Sequence, residues 1–386
     1  MDNVYVVSGA RTPVGKAKRG TLRDYRPDDM AGEAIKAAVQ RAGIDPDKVE
    51  DVMLGCSIPE QEQGMNIARL AAYLADLPKH VPAATVNRFC ASGLEAIASQ
   101  VGKIESGWCD IAVGGGVESM SMVPMDQIKV SPNPELVNEA PEYYITMGCA
   151  GDHVAQEYGY NREELDELAV RSHELAINAI ESGKFKDEIV PLEVDLEGGK
   201  VTFDTDEGPR KDTSMEGLKS LKPAFAVSPE YGFHTAGNSS QTSDGAAAVV
   251  LMSEKALKET GAKPLAKLKS YYVYAGSPDM LGPAQLTAIP KAAEKAGIKV
   301  DDIGLFEINE AFASVLKLVT DKLNIPLDKV NVNGGAIALG HPLGCTGGKL
   351  TVQIINEMRR RGEKYGCVTM CVGGGQGAAG IYELCE

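Results

Sequence analysis

Eight cysteines stand in this chain, at 56, 90, 109, 149, 345, 367, 371 and 385, and two of them sit where a thiol can do chemistry. In NRFCASGLEAI (87–97) an apolar strand pattern ends at Val86 and a helical pattern begins at Ser92. Cys90 therefore falls in the connecting turn, near a helix N-terminus. Free backbone N–H groups and the positive end of the helix dipole favour thiolate over thiol there. Gly93, with small Ala91 and Ser92, would let a ligand come close to the backbone. An inert buried cysteine is the competing reading, and this segment alone does not separate the two.

A second segment supplies a partner for such a thiol. GGAIALGHPLGCTGGKL (334–350) carries six glycines around one histidine, His341, which could face Cys90 as its base. A phosphate-binding loop with an incidental histidine is a weak rival, because no Walker lysine follows the glycines at the required spacing. In CVGGGQGAAG (371–380) Cys371 ends a strand pattern just before three glycines. Successive N–H groups in such a turn can stabilise an oxyanion, and a second thiol can give and take a proton. A plain packed strand end is the alternative. EINEAFAS (307–314) places Asn309 at a strand end, where it could hold a water or orient a ring, while Glu310 could cap the local turn. TAGNSSQTSDGAAA (235–248) is small, polar and turn-rich. It reads either as a linker or as a wall against a ligand.

The elements that must position these residues come from an internal duplication. RAGIDPDKVEDVMLG (41–55) is echoed by KAGIKVDDIGLFEIN (295–309), each a helix stopped by glycine and followed by an apolar strand. CDIAVGGG (109–116) is echoed by CVTMCVGGG (367–375). Between these markers each half carries an Asn after a strand, in Val86-Asn87 and Val332-Asn333. A helix pattern then follows, LEAIASQVGKIESG in one and KLTVQIINEMRRRG in the other. The second half runs from its glycines almost directly into QGAAGIYEL (376–384). In the first, over a hundred residues separate GGGVESM (114–120) from DGAAAVVLM (244–252).

Residues 1–120 with 244–260 are thus expected to form one half, 121–243 an inserted domain, and 261–386 the other half. The insertion shows Pro-rich loops (131–136), a polar helix (161–183) and charged strands. Strands alternating with helices predict an α/β fold with right-handed crossovers and mostly parallel sheets. Two like halves would pack through their helices as a layered sandwich.

Composition excludes several classes of function. A net charge of −15 argues against general nucleic-acid binding. No apolar run approaches the ~18 residues of a membrane span, and MDNVYVVSGARTP does not read as a signal or transit peptide. The cysteines therefore read as reduced thiols of a cytoplasmic protein. No two cysteine pairs have zinc-ligand spacing, so no metal is expected. Cys367 and Cys371 lie four apart on one strand, about 13 Å, too far for a redox disulfide.

Taken together and in this order, NRFCASG, TAGNSSQTSDGAAA, NEAFA, GHPLGCTG and CVGGGQG resemble the thiolase family over essentially the whole chain, from SGARTPVG (8–15) onward. The resemblance implies a five-layered αβαβα sandwich of two duplicated halves with an inserted loop domain. It implies Cys90 as nucleophile, His341 as its activator and Cys371 as the acid/base. Asn309, through a water, would join His341 in one oxyanion hole, and the N–H groups of Cys90 and Gly373 would form another. Coenzyme A would be a substrate, with no prosthetic group or metal. It would be held by the insertion, with Arg210 near the adenine, Ser240 and Phe225 along the pantetheine arm, and Met147, Ala311 and Phe312 around the acyl chain. The family also implies a homo-oligomer, dimer or tetramer, with a tetramer expected.

One stretch departs from the short-chain biosynthetic pattern. ITMGCAGDHVA places Thr146 where such members usually carry His. NSSQTSDG resembles degradative members, so a 3-ketoacyl-CoA thiolase of β-oxidation is expected, with an acetoacetyl-CoA thiolase as the alternative. His153 in this stretch reads as a partly solvated helix residue. A ketoacyl synthase is disfavoured, since it generally uses a second histidine where this chain has Asn309. A non-catalytic relative is disfavoured because Cys90, Asn309, His341 and Cys371 are all present.

Overall fold

A computed structural model of the chain describes residues 3–225 and 232–385. The first half opens with β1 (Val4–Arg11), β2 (Gly15–Lys16), α1 (Pro27–Ala42), β3 (Asp51–Gly55), α2 (Ile67–Leu74), β4 (Ala83–Val86), α3 (Ser92–Glu105) and β5 (Ile111–Ser119). The inserted stretch then contributes α4 (Pro134–Glu139), α5 (Met147–Glu157), α6 (Arg162–Glu181), the hairpin β6 (Leu192–Leu196) and β7 (Gly199–Phe203), and α7 (Met215–Lys219). Next come β8 (Ser243–Ser253) and α8 (Glu254–Thr260). The second half follows as β9 (Ala266–Ala275), α9 (Gln285–Ala296), β10 (Leu305–Ile308), α10 (Ala313–Leu323), α11 (Ala336–Leu339), α12 (Thr346–Arg361), β11 (Tyr365–Val372) and β12 (Gln376–Leu384).

Local chemistry sets the helix ends. α1 starts with Pro27 in its first turn beside Asp28 and Asp29, and stops at Gly43, whose φ of 67° only glycine adopts freely. Its counterpart α9 stops the same way at Gly297. Asn161 and Glu164 close a capping box on α6. The Pro-rich stretch read as loop contains α4, because Pro134 at the first helical position and the side chain of Asn133 start a short helix.

The strand order repeats. β4-β3-β5-β8-β1 in the first half is matched by β10-β11-β12-β9 in the second, and the two edges meet where Val6 of β1 pairs with Ala266 of β9. The sheets are mixed, not mostly parallel. β4, β3 and β5 run parallel, as do β10 and β11, but β5–β8–β1 and β11–β12–β9 are antiparallel. The cause is the glycine turn. Gly374 and Gly375, both at positive φ, reverse β11 directly into β12, and a hairpin can only be antiparallel. In the first half the same strand pair, β5 and β8, is separated by the inserted residues.

The strand expected before Asn333 is also missing. There a single bridge, Phe306 to Val330, stands in for β4. Asn331 replaces the ladder with its side chain, bonding both the N–H and the carbonyl of Ile308 at 2.8 Å. Its own φ of 45° breaks the extended run.

Helices α3 and α12 lie between the two sheets and pack on both. α1 and α2 cover the outer face of one sheet, and α9 and α10 the outer face of the other. The result is five layers, αβαβα. β5 and β8 are buried along their whole length and rich in Gly and Ala. A methyl on Gly116 would lie 1.9 Å from the carbonyl oxygen of Gly344, so strand and loop touch backbone to backbone.

Candidate active site

The turn carrying Cys90 is held by its neighbours' side chains. Asn87 accepts from the N–H of Phe89 (2.8 Å) and donates to the carbonyl of Ser57 (2.9 Å). Ser92 accepts from the N–H of Arg88 (2.8 Å) and donates to the carbonyl of Phe89 (2.6 Å). Phe89 itself sits at φ 44°, a left-handed conformation unusual for an aromatic residue. Such strain costs on the order of 1–3 kcal/mol and persists only where the surroundings enforce it. It turns the chain so that Cys90 stands at the head of α3. Gly93 makes room for a neighbouring loop. A Cβ there would lie 2.7 Å from the carbonyl oxygen of Gly344 and 2.9 Å from the nitrogen of Gly348. The missing side chain lets α3 cross the start of α12, and the histidine loop thereby reaches the Cys90 turn.

That loop is fastened at both sides of His341. Gly340, at φ 92°, packs against the hydroxyl of Ser243, and the His341 N–H reaches the Gln241 carbonyl and the Ser243 hydroxyl, each at 3.2 Å. On the far side, the N–H of Gly344 donates to Glu118 Oε2 at 2.7 Å. Glu118 is fully buried and also receives the N–H groups of Ser57 and Ile58 and the amide of Gln63. Burial pushes its pKa up and these hydrogen bonds oppose the rise. Because every one of these partners donates, the geometry suits the carboxylate.

The imidazole of His341 is buried, with Nδ1 2.6 Å from Thr346 Oγ1 and Nε2 3.2 Å from Asn309 Nδ2. Thr346 gives its own proton to the Pro342 carbonyl at 2.9 Å. Its oxygen can then only accept, so Nδ1 carries the ring proton and Nε2 presents its lone pair. Burial lowers the His341 pKa to about 3, with the nearby Lys349 charge acting in the same direction. Asn309 Oδ1 is buried without a protein partner among the described residues.

Cys371, one residue before the end of β11, is buried. Its pKa is raised well above the ordinary thiol value, by burial first and then by the charge of Cys90, which places the two thiols in electrostatic reach. The backbone N–H groups of Cys90 and Gly373 lie near enough to the Cys90 sulfur to favour thiolate. Burial outweighs them and pushes the thiol up to about 12. Desolvation thus works against the thiolate that the helix N-terminus and the two amides favour.

Around Cys371 the chain gathers Ala311, Phe312, Met147 and Phe225 in one apolar cluster, with Leu281. Phe225 meets Phe312 edge-on at 5.6 Å and lies over Gly148, where any side chain would collide with its ring. The N–H of Ser240 donates to the Ala311 carbonyl (2.9 Å), which ties the segment leading into β8 to this wall. Arg210 stands apart. It is exposed, and its backbone N–H donates to Nδ1 of buried His173 at 3.1 Å. Thr146 is exposed at the start of α5. His153 is partly solvated, its Nδ1 3.1 Å from the Asp279 carbonyl. Glu310 does more than cap a turn. It joins α6 to α11 and the loop before it through Ser172, Asn331 and the N–H of Ile337.

Sequence reasoning did not single out Glu118 or Thr346. A carboxylate inside an all-apolar strand, and a hydroxyl five residues after the only histidine of a glycine-rich loop, were the available signals.

The comparisons with known proteins agree with this architecture. Residues 4–255 match the thiolase N-terminal domain and residues 262–384 the thiolase C-terminal domain. The chain is 52% identical to a 3-ketoacyl-CoA thiolase of Bacillus subtilis over the full length of both, and 44% identical to a peroxisomal 3-ketoacyl-CoA thiolase A of Mus musculus, covering 99% of this chain and 91% of that one. Among solved structures, the Bacillus anthracis acetyl-CoA acetyltransferase superposes with a TM-score of 0.91 at 40% identity, covering 100% of this chain and 99% of that one. Human mitochondrial 3-ketoacyl-CoA thiolase also gives 0.91, at 36% identity and the same coverage. This layered α/β sandwich, with the two domains it matches, defines an acyltransferase. The chain belongs to the thiolase family.

Proposed function

We propose that this chain cleaves 3-oxoacyl-CoA with coenzyme A, yielding acetyl-CoA and an acyl-CoA two carbons shorter, in the manner of β-oxidation. The observation that carries the reading is the gathering of two thiols in electrostatic reach of each other, half-buried Cys90 and buried Cys371, with a buried histidine on the loop packed against Gly93 whose Nε2 lone pair is free of a proton. In this reading His341 Nε2 takes the proton of Cys90, whose sulfur attacks the 3-keto carbon. The N–H groups of Cys90 and Gly373 hold the resulting oxyanion. The bond between the α and β carbons then breaks, leaving Cys90 acylated and an acetyl-CoA enolate. The enolate oxygen is met by the Nε2–H of the newly formed imidazolium and by a water on Asn309 Oδ1, a buried acceptor without a partner among the described residues. Cys371 gives its proton to the enolate carbon and regains one from incoming CoA. The CoA sulfur takes the acyl group, and Cys90 recovers its proton from His341.

No prosthetic group or metal is needed, since each step is a proton or acyl transfer among these side chains and CoA. Met147, Phe225, Ala311 and Phe312 would line the acyl and pantetheine path, with Ser240 on the arm and Arg210 toward the adenine. We further propose a homo-oligomer, dimer or tetramer. Edge strand β4 and helix α2 lie beside exposed Met65, Leu70, Tyr73 and Phe89, an apolar surface suited to a second copy. A cytoplasmic location fits eight free cysteines. Among the described residues no helix is long and apolar enough to cross a membrane.

The test is CoA-dependent cleavage of 3-ketoacyl-CoAs from C4 to C16, followed by loss of the Mg²⁺-enolate absorbance. Activity at several lengths is expected. Activity on acetoacetyl-CoA alone would replace this reading with the short-chain enzyme, and cleavage at no length would overturn both.

A further inference from the structure

Behind the Cys371 cluster lies a buried histidine–carboxylate pair that the chemistry above does not use. His234, on the segment returning from the insertion, is fully buried. Its Nδ1 lies 2.7 Å from Asp152 Oδ1 on α5. The same oxygen receives the N–H groups of Phe233 (3.1 Å) and His234 (2.9 Å). Asp152 can only accept as a carboxylate, so Nδ1 carries the proton and Nε2 is an acceptor. Nε2 takes the N–H of Ser314 at 3.4 Å.

That N–H is one of the first in α10, a donor no residue of the helix itself can satisfy. The N-cap position is Phe312, whose side chain has no acceptor. His234 therefore caps α10 from another segment. It also touches the cap residue directly: its ring meets Phe312 at 5.0 Å and 64°. On the other side Ser314 Oγ donates to the Gly151 carbonyl (3.1 Å), and the Phe312 ring lies over Gly151, where a Cβ would be 3.0 Å from it. Phe312 is thus gripped between α5 and His234, and its other edge faces Phe225 and Cys371.

We propose that Asp152 and His234 are a positioning pair that fixes Phe312 as the wall of the acyl pocket, and thereby set which acyl chain lengths the site accepts. The inference rests on the thiolytic reading above. It commits to a chain of contacts: the carboxylate selects the tautomer, the tautomer supplies the acceptor, and the acceptor seats the start of α10 and its aromatic cap residue. Apolar pockets discriminate by packing, so a displaced wall changes the ratio between substrates more than the rate on the smallest one.

Two substitutions split the pair's contacts. His234→Asn keeps a donor toward Asp152 but cannot reach Ser314. His234→Gln keeps an acceptor at the Nε2 position, and its amide needs no tautomer to be chosen for it. The readout is kcat/KM for 3-ketoacyl-CoAs of C4, C10 and C16. His234→Asn is expected to change the C10-to-C4 ratio by about tenfold, while His234→Gln stays within about threefold of the wild type. In a Phe312→Leu background the Asn substitution should lose its effect on the ratio, because it acts through that ring. An unchanged ratio in His234→Asn, or a change that persists without Phe312, overturns the proposal. Should His234→Asn fail to fold, ¹⁵N spectra of histidine-labelled wild-type protein decide: a ring protonated at Nδ1 supports the pair, and one protonated at Nε2 refutes it. Wild-type protein inactive on every substrate would instead sink the thiolytic reading, and the spectra would still report on the pair.

Discussion

Nε2 of His341 lies 3.2 Å from Nδ2 of Asn309, and the donor in that contact is the asparagine. The assignment follows from a residue on the opposite side of the ring. Thr346 spends its only proton on the Pro342 carbonyl, so His341 must offer it Nδ1–H. The base is therefore delivered with its lone pair on the site side. Thr346→Val should keep the fold and free the ring to adopt the other tautomer. We expect the rate of Cys90 acylation to fall about 10- to 100-fold. Rapid-mixing measurement of acyl-enzyme formation checks this, and an unchanged rate would show that the tautomer is set elsewhere.

Desolvation of buried His341 and half-buried Cys90 has a consequence for pH. Cys90 is pushed up to about 12 and His341 held down near about 3. A thiol with a raised pKa is protonated below it, and a histidine with a lowered pKa is neutral above it. Between these limits the resting pair is thiol and neutral imidazole. Alkylation of Cys90 by iodoacetamide should therefore climb about tenfold per pH unit from pH 6 to 9. A plateau across that range would reveal a thiolate–imidazolium pair instead.

What the sequence discloses and what it hides divide along physical lines here. The turn at Cys90, the glycine stops at Gly43 and Gly297 and the pairing of β5 with β8 are local or repeated signals, so they are legible in a string. The direction of the Cys90 pKa is not, because it depends on burial beneath elements hundreds of residues away. Nor is the bond between Glu118 and Gly344, which spans the two halves. Asn331 misleads for a similar reason. Its apolar flanks resemble a strand, yet its side chain makes the bonds that a strand's backbone would have made.

The two thiols should be separable by substitution. Cys90→Ser should lower turnover about 1,000-fold or more, since an alkoxide needs a stronger base than a buried neutral imidazole. Cys371→Ala leaves Cys90, its amides and His341 in place. Acylation should then proceed while turnover falls about 10²- to 10⁴-fold, the usual worth of a positioned acid/base. Acyl-enzyme trapped on Cys90 and seen by mass spectrometry is the expected result. Steady-state rates equal to the wild type in either variant would remove that cysteine from the mechanism.

Glu118 offers the sharpest test of how the halves are joined. Both of its oxygens receive only donors: Ser57 N–H and Gly344 N–H on Oε2, Ile58 N–H and the Gln63 amide on Oε1. Glutamine has the same shape, but either orientation of its amide turns an NH₂ toward two buried donors. Glu118→Gln should therefore cost about 2–4 kcal/mol, the range for a buried charge-assisted set left with unpaired groups. The loss should not be confined to stability. Gly344 sits three residues from His341, so releasing its N–H lets the histidine loop shift against the Cys90 turn. Thermal unfolding and kcat should fall together in Glu118→Gln. A variant that loses stability while keeping full kcat would show that the loop is held by Ser243 and the Gly93 crossing alone, and that the carboxylate is only a structural clasp.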